Sequence, residues 1–246
     1  MENLIHMTAA YSNAVLLIVM TNVSDFAKKL ELPIPTPITT NHVQKFTPLP
    51  VKHSIGGALF LTNGDRFFQH GNGYINGFYS AQNYYTEQEF DEASVSKYYG
   101  RMNMTTNEVI EFARDALRKL GYDPKKLSAD GPPTSFSFAG VINGHMFPFC
   151  DMEWEGPDKE NWKNKIRISI NAEKKQVVGL SIISPSAWRP SPKLNIEPEL
   201  ESEYQKRMKG KMFLRTNAPE LNSRPDPSAK KSQVITNQTR RSAEPR

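Results

Sequence analysis

The sequence predicts an α+β protein in which a helix is followed by an antiparallel β-meander, with two such units in tandem. Three observations carry this reading. Residues 105–121 place apolar side chains at helical spacing behind a capping signal. Residues 134–184 alternate apolar and polar side chains in runs divided by turn signals. Residues 8–80 repeat that order of a helix and short strands, less cleanly.

In the second unit, Thr105 and Glu108 have the Thr-x-x-Glu spacing of a capping box. Val109, Ile110, Ala113, Ala116, Leu117 and Leu120 follow on one face, and Glu111, Arg114, Asp115, Arg118 and Lys119 on the other. Asp115 and Lys119 stand four apart and are expected to pair. Gly121 suits the left-handed residue after the last turn, and Asp123-Pro124 stops continuation. Residues 134–142 and 146–154 flank Asn143-Gly144, a hairpin turn signal. Pro148 cannot donate to a ladder, which predicts an edge or a bulge there. Ile166, Ile168 and Ile170 then alternate with polar residues, and Val178, Leu180 and Ile182 continue that alternation, so the isoleucine face is expected to cover the helix.

In the first unit a helix starts near Thr8 or Ser12 and runs to about Leu32, with Val15, Val19, Val23, Phe26 and Leu30 as its stripe. Pro33, Pro35 and Pro37 end it. Short strands follow around residues 42–46, 55–62, 66–70 and 74–79, divided by Asn63-Gly64 and Gly71-Asn72-Gly73. The expected divisions are residues 1–100, residues 101–185, a proline-rich strap with a short helix over residues 186–215, and a disordered basic tail over residues 216–246. Leu200, Tyr204, Met208 and Met212 form the stripe of that short helix.

Charge is distributed unevenly. The 246 residues carry a net charge of +5, yet residues 201–246 hold eleven Lys/Arg against five Asp/Glu, which leaves the rest of the chain near neutrality. A mean hydropathy of −0.57 and a longest apolar run of seven residues, Ala14 to Met20, argue against an integral membrane protein. Glu2 and the absence of Lys or Arg before that run do not fit a signal peptide at residue 1, and the compartment stays open, with export through an upstream signal as one alternative. The single cysteine, Cys150, excludes an intrachain disulfide framework.

The run KIRISINAEKKQVVG over residues 165–179, behind a helix with a small-residue stripe, resembles the bacterial PepSY domain and its tandem relatives. The family's strand leads into an Asp-Ala-x-x-Gly-like turn and then Val-Val. Here Asn171-Ala172-Glu173-Lys174-Lys175 occupies that turn, without the glycine. The match spans about residues 105–184, with residues 8–80 as a degenerate copy. Residues 25–35 (DFAKKLELPIP) and 104–114 (MTTNEVIEFAR) also look like segments of a bacterial family to which no activity attaches. The PepSY resemblance implies a non-catalytic module that restrains peptidases or mediates protein contacts, and it transfers no catalytic set.

The residues agree that no catalytic constellation is legible. His42, His53, His70, His145, Cys150 and Asp151 lack zinc-motif spacing, so neither metal nor cofactor is expected. Cys150, between Phe149 and Met152, reads as a small core residue, because a nucleophile needs a base and an orienting group. Asp151, Glu153 and Glu155 read as a solvated strand face. The glycines between Gly56 and Gly77 match no phosphate loop and read as turns. Asn22, Asn103 and Asn237 head N-x-[ST] sequons, a number expected by chance.

Three functional readings remain. The leading one is a binding or regulatory module that engages a peptide, or a peptidase, through an exposed sheet edge, with Trp188, Arg189, Tyr84 and Tyr85 as candidate contact residues. The second is a small-ligand binder or enzyme with a pocket between the two units, lined by aromatics from Phe60 to Tyr85 and by His70. The third is non-specific nucleic-acid binding through Lys206-Arg207, Lys230-Lys231 and Arg240-Arg241 of the tail.

Overall fold

Helix α1, Ala9–Lys29, begins where the Thr8 hydroxyl accepts from the Tyr11 amide. Its stripe of Tyr11, Val15, Val19, Val23 and Phe26 is buried. The helix stops short of Leu32 because Leu30 caps it and Glu31 turns left-handed at φ 53° before Pro33. Helix α2, Thr106–Lys119, has the full capping box between Thr105 and Glu108, and Gly121 follows at φ 84°. Hydrogen bonds from the Thr105 amide and hydroxyl hold the pKa of the Glu108 carboxyl below its usual range. The computed structural model describes residues 5–82, 95–142, 144–156, 164–184, 199–200, 203, 205–206 and 208–209.

Eight of the strands form one antiparallel sheet: β2 Val43–Pro48, β3 Gly57–Leu61, β4 Arg66–Gln69, β5 Ile75–Tyr79, β6 Ser135–Ile142, β7 His145–Glu155, β8 Lys165–Asn171 and β9 Gln176–Ile183. The order is β2-β3-β4-β5-β9-β8-β7-β6. Each meander therefore ends at the join, where Gly77 faces Ser181, Phe78 faces Leu180 and Tyr79 faces Gly179. A separate ribbon pairs β1, Ile5–His6, with β10, Glu199–Leu200. Leu200 thus lies opposite Ile5 in a strand and not in the expected helical stripe. By contact the chain divides into Met1–Gln205, which holds this sheet, and Lys206–Arg246, whose described residues Lys206, Met208 and Lys209 are helical.

Both helices pack on one face of the sheet. Val109, Ala113 and Leu117 of α2 share a core with Ile166, Ile168 and Ile170, and the α1 stripe joins that core with Leu59, Phe67 and Phe78. Each fully buried isoleucine contributes about 1.5–3 kcal/mol of hydrophobic stabilisation. Two expectations need correction. Asp115 pairs with Arg118, while Lys119 reaches Glu31 at 2.7 Å and ties the end of α2 to the end of α1. Val178 leaves the helix-side core, because Ser169 faces Gly179 while Ile170 faces Val177, and the extra residue Val178 is pushed to the opposite face. There it packs with Phe147 and Phe149, and Val177 takes the core place the alternation assigned to Val178.

Candidate functional site: the β6 edge and the outer face

An open sheet has two edges, and here they are β2 and β6. Edge strands expose unpaired amides and carbonyls, which proteins blunt with charge, proline and bulges. β2 uses all three, with an exposed Lys45, Pro48 and a register shift between Val43 and Lys45. β6 reads Ser-Phe-Ser-Phe-Ala-Gly-Val-Ile, with neither charge nor proline over eight residues. Among the described residues no strand pairs with its outer side.

The register fixes which way β6 points. Phe136 and Phe138 lie opposite Met152 and Cys150 of the helix-side core, whereas Ser135 and Ser137 lie opposite Glu153 and Asp151 on the outer face. Phe138 remains 40% exposed and Val141 64% exposed, so apolar surface stands beside the open backbone. Between Phe138–Cys150 and Gly140–Phe147, one residue of β6 spans two of β7, Pro148 and Phe149. The bulge expected at Pro148 therefore lies inside the sheet, where the proline carbonyl still accepts from the Ala172 amide at 2.7 Å.

On the outer face, one cross-strand row runs Phe60, Arg66, Tyr79, Gly179, Ser169, Asp151, Ser137. The next runs Ala58, Phe68, Gly77, Ser181, Arg167, Glu153, Ser135. The aromatics thus divide by face: Phe67 and Phe78 stack at 4.8 Å in the core, whereas Phe60, Phe68 and Tyr79 form an edge-to-face row outside, with the Lys45 ammonium 5.9 Å from the Phe60 ring. The acidic face of β7, expected to be solvated, is paired with β8 instead, and Asp151 is buried there. Lys165 lies 2.8 Å from Glu153 and 3.4 Å from Glu155, and the hydrogen bond it donates to Glu153 raises the lysine above its ordinary range. Asp151 accepts from the Ser169 hydroxyl and lies 3.5 Å from Arg167.

Cys150 is fully buried in the helix-side core, and burial, followed by the nearby Asp151 charge, pushes its thiol up to about 11. His145 stands at the first position of β7 and stacks on Tyr99 with ring centroids 4.1 Å apart. The two are not brought together. Among the described residues, no three His, Cys, Asp or Glu side chains group as metal ligands.

His70 sits in the Gly71–Gly73 turn, its Nδ1 2.6 Å from Asn72 Oδ1 and its ring stacked on Tyr74 at 5.1 Å. A cleft of about 100 Å³ opens between α1, the chain at Tyr74 and the end of α2, with Asp25, Lys29, Tyr74 and Tyr122 on its walls. Tyr74 is the one member of the expected aromatic lining on these walls, and the volume lies below the several hundred Å³ of small-molecule pockets. Tyr84, Tyr85, Trp188 and Arg189 lie outside the described residues, as does the tail beyond Lys209. The sequence reading missed Phe138 and Val141 as candidate contacts. The charge-free run was visible, but its place at an edge was not.

Fold and edge together define an α+β protein built on an open antiparallel sheet with helices on one face. No family model and no curated protein sequence matches the chain. Among solved structures it is similar to the Bacillus megaterium YpeB C-terminal domain, with a TM-score of 0.35 and 9% identity over 82% of this chain and 74% of that one. No helix among the described residues is long and apolar enough to cross a membrane.

Proposed function

We propose that this chain is a non-catalytic binding module that takes up an extended protein segment as an added strand on β6. The observation that supports it is the contrast between the two edges: β2 is blunted, whereas β6 offers eight residues without charge or proline beside the exposed Phe138 and Val141. In this mode main-chain hydrogen bonds supply affinity and alternate side chains supply selectivity. The segment it accepts alternates apolar and small polar residues, matching Phe136 and Phe138 on one side and Ser135 and Ser137 on the other. PepSY-like sequence character fits a module that acts through protein contacts.

The test is selection of extended peptides from a random display library on the full chain, with amide hydrogen exchange as the map. Enriched peptides with two-residue alternation that slow exchange in β6 are expected, with binding lost in Phe138→Lys. Enrichment mapping to the outer aromatic row or the Tyr74 cleft, or undiminished binding by Phe138→Lys, would overturn the proposal.

A further inference from the structure

The same edge specifies its occupant. We infer that the strand added to β6 is β6 of a second copy of this chain, an inference that rests on the strand-addition reading above. The run Ser135–Phe138 satisfies the pattern it demands, with serines toward the outer face and phenylalanines toward the helix side. A two-fold axis perpendicular to the sheet sets β6 antiparallel to its copy and keeps both helix layers on one side. Serine then meets serine and phenylalanine meets phenylalanine.

Charge agrees with self-pairing. β6 carries none, so a copy brings no like charge against it, and the acidic side chains of neighbouring β7 are occupied by Lys165 and Arg167. β2 behaves oppositely, since a copy would present Lys45 and Pro48 against the same residues. With one edge open and the other blunted, pairing closes at two copies and does not grow into a fibre.

The register follows from the break beyond Phe138. Regular pairing with β7 covers Ser135–Phe138, and Gly140 turns left-handed at φ 72°. A two-fold at Ser137 sets Ser137 opposite its own copy and Phe136 of each copy opposite Phe138 of the other, all within that run, with Ser135 opposite Ala139 at its margin. The join makes one continuous sheet from two eight-stranded ones.

Sedimentation of the full chain tests this, with Phe138→Lys as the disrupting variant and Val141→Lys as a second variant at a more exposed position. The expected results are a dimer for the natural chain, a dissociation constant raised at least about tenfold in Phe138→Lys because a symmetric interface feels each change twice, and unchanged circular dichroism. Ser137→Cys should form an interchain disulfide under mild oxidation, while Gln44→Cys on β2 should not. A monomer at all accessible concentrations would overturn the inference. If that monomer binds a synthetic peptide of residues 134–142 and Phe138→Lys does not, strand addition survives and only self-pairing falls. If the peptide also fails to bind, both readings fall.

Discussion

Arg114 of α2 and Trp154 of β7 donate to the same backbone oxygen, the carbonyl of Gly131. The Arg114 Nε also reaches the Ala129 carbonyl at 2.9 Å, and the Trp154 indole lies 3.0 Å from the Gly131 oxygen. Helix and sheet are thereby joined through the connection that leads into the edge strand β6.

Arg114→Met should destabilise the chain by about 2–3 kcal/mol in denaturant titration, because it removes charged hydrogen bonds to carbonyls of a half-buried loop. Arg114→Lys should recover little, as an ammonium cannot reproduce the planar fork that serves two carbonyls. Full recovery by lysine would reduce Arg114 to a simple charge.

The turn between β8 and β9 places Lys175 at φ 50°, where glycine is favoured, and Asn171 Oδ1 accepts from the amides of Glu173 and Lys174. A side chain in that region costs about 1 kcal/mol. Lys175→Gly should therefore stabilise by about 0.5–1 kcal/mol, read as a raised denaturation midpoint. The opposite sign would show that the lysine side chain outweighs its backbone strain.

Cys150 should resist a thiol reagent in the folded chain and react on unfolding, since its thiol is buried and held protonated to about pH 11. Its folded value lies above the unfolded one, so the unfolded chain loses the proton first as pH rises. Stability from this group is complete below about pH 8.5 and declines between there and about pH 11. Cys150→Ala should remove that part of the alkaline slope, measured as unfolding free energy against pH. An unchanged slope would locate the alkaline sensitivity elsewhere.

Local chemistry was legible where partners lie close in sequence. The Thr105–Glu108 capping box, the left-handed Gly121 and the isoleucine alternation required only helix and strand geometry. Val178 was misplaced because alternation assumes an unbroken register, and the bulge against Ile170 is set by strand pairing. Lys119 likewise had Asp115 within helical reach, yet its partner is Glu31, brought close by the packing of α1 beside α2. The outer rows that place Arg66 beside Phe60 and Tyr79 arise only once β3, β4 and β5 are in register.

The sequence by itself determined the class of fold, the helix caps, the isoleucine face that β8 buries and the core role of Cys150. Side-chain period and short-range hydrogen bonding are properties of a few consecutive residues. The tertiary structure alone decided that β5 joins β9, and therefore that β6 ends the sheet. A strand's pattern records which of its faces meets the core. It carries no record of which neighbour completes its hydrogen bonds, and among the described residues no strand does so on the outer side of β6.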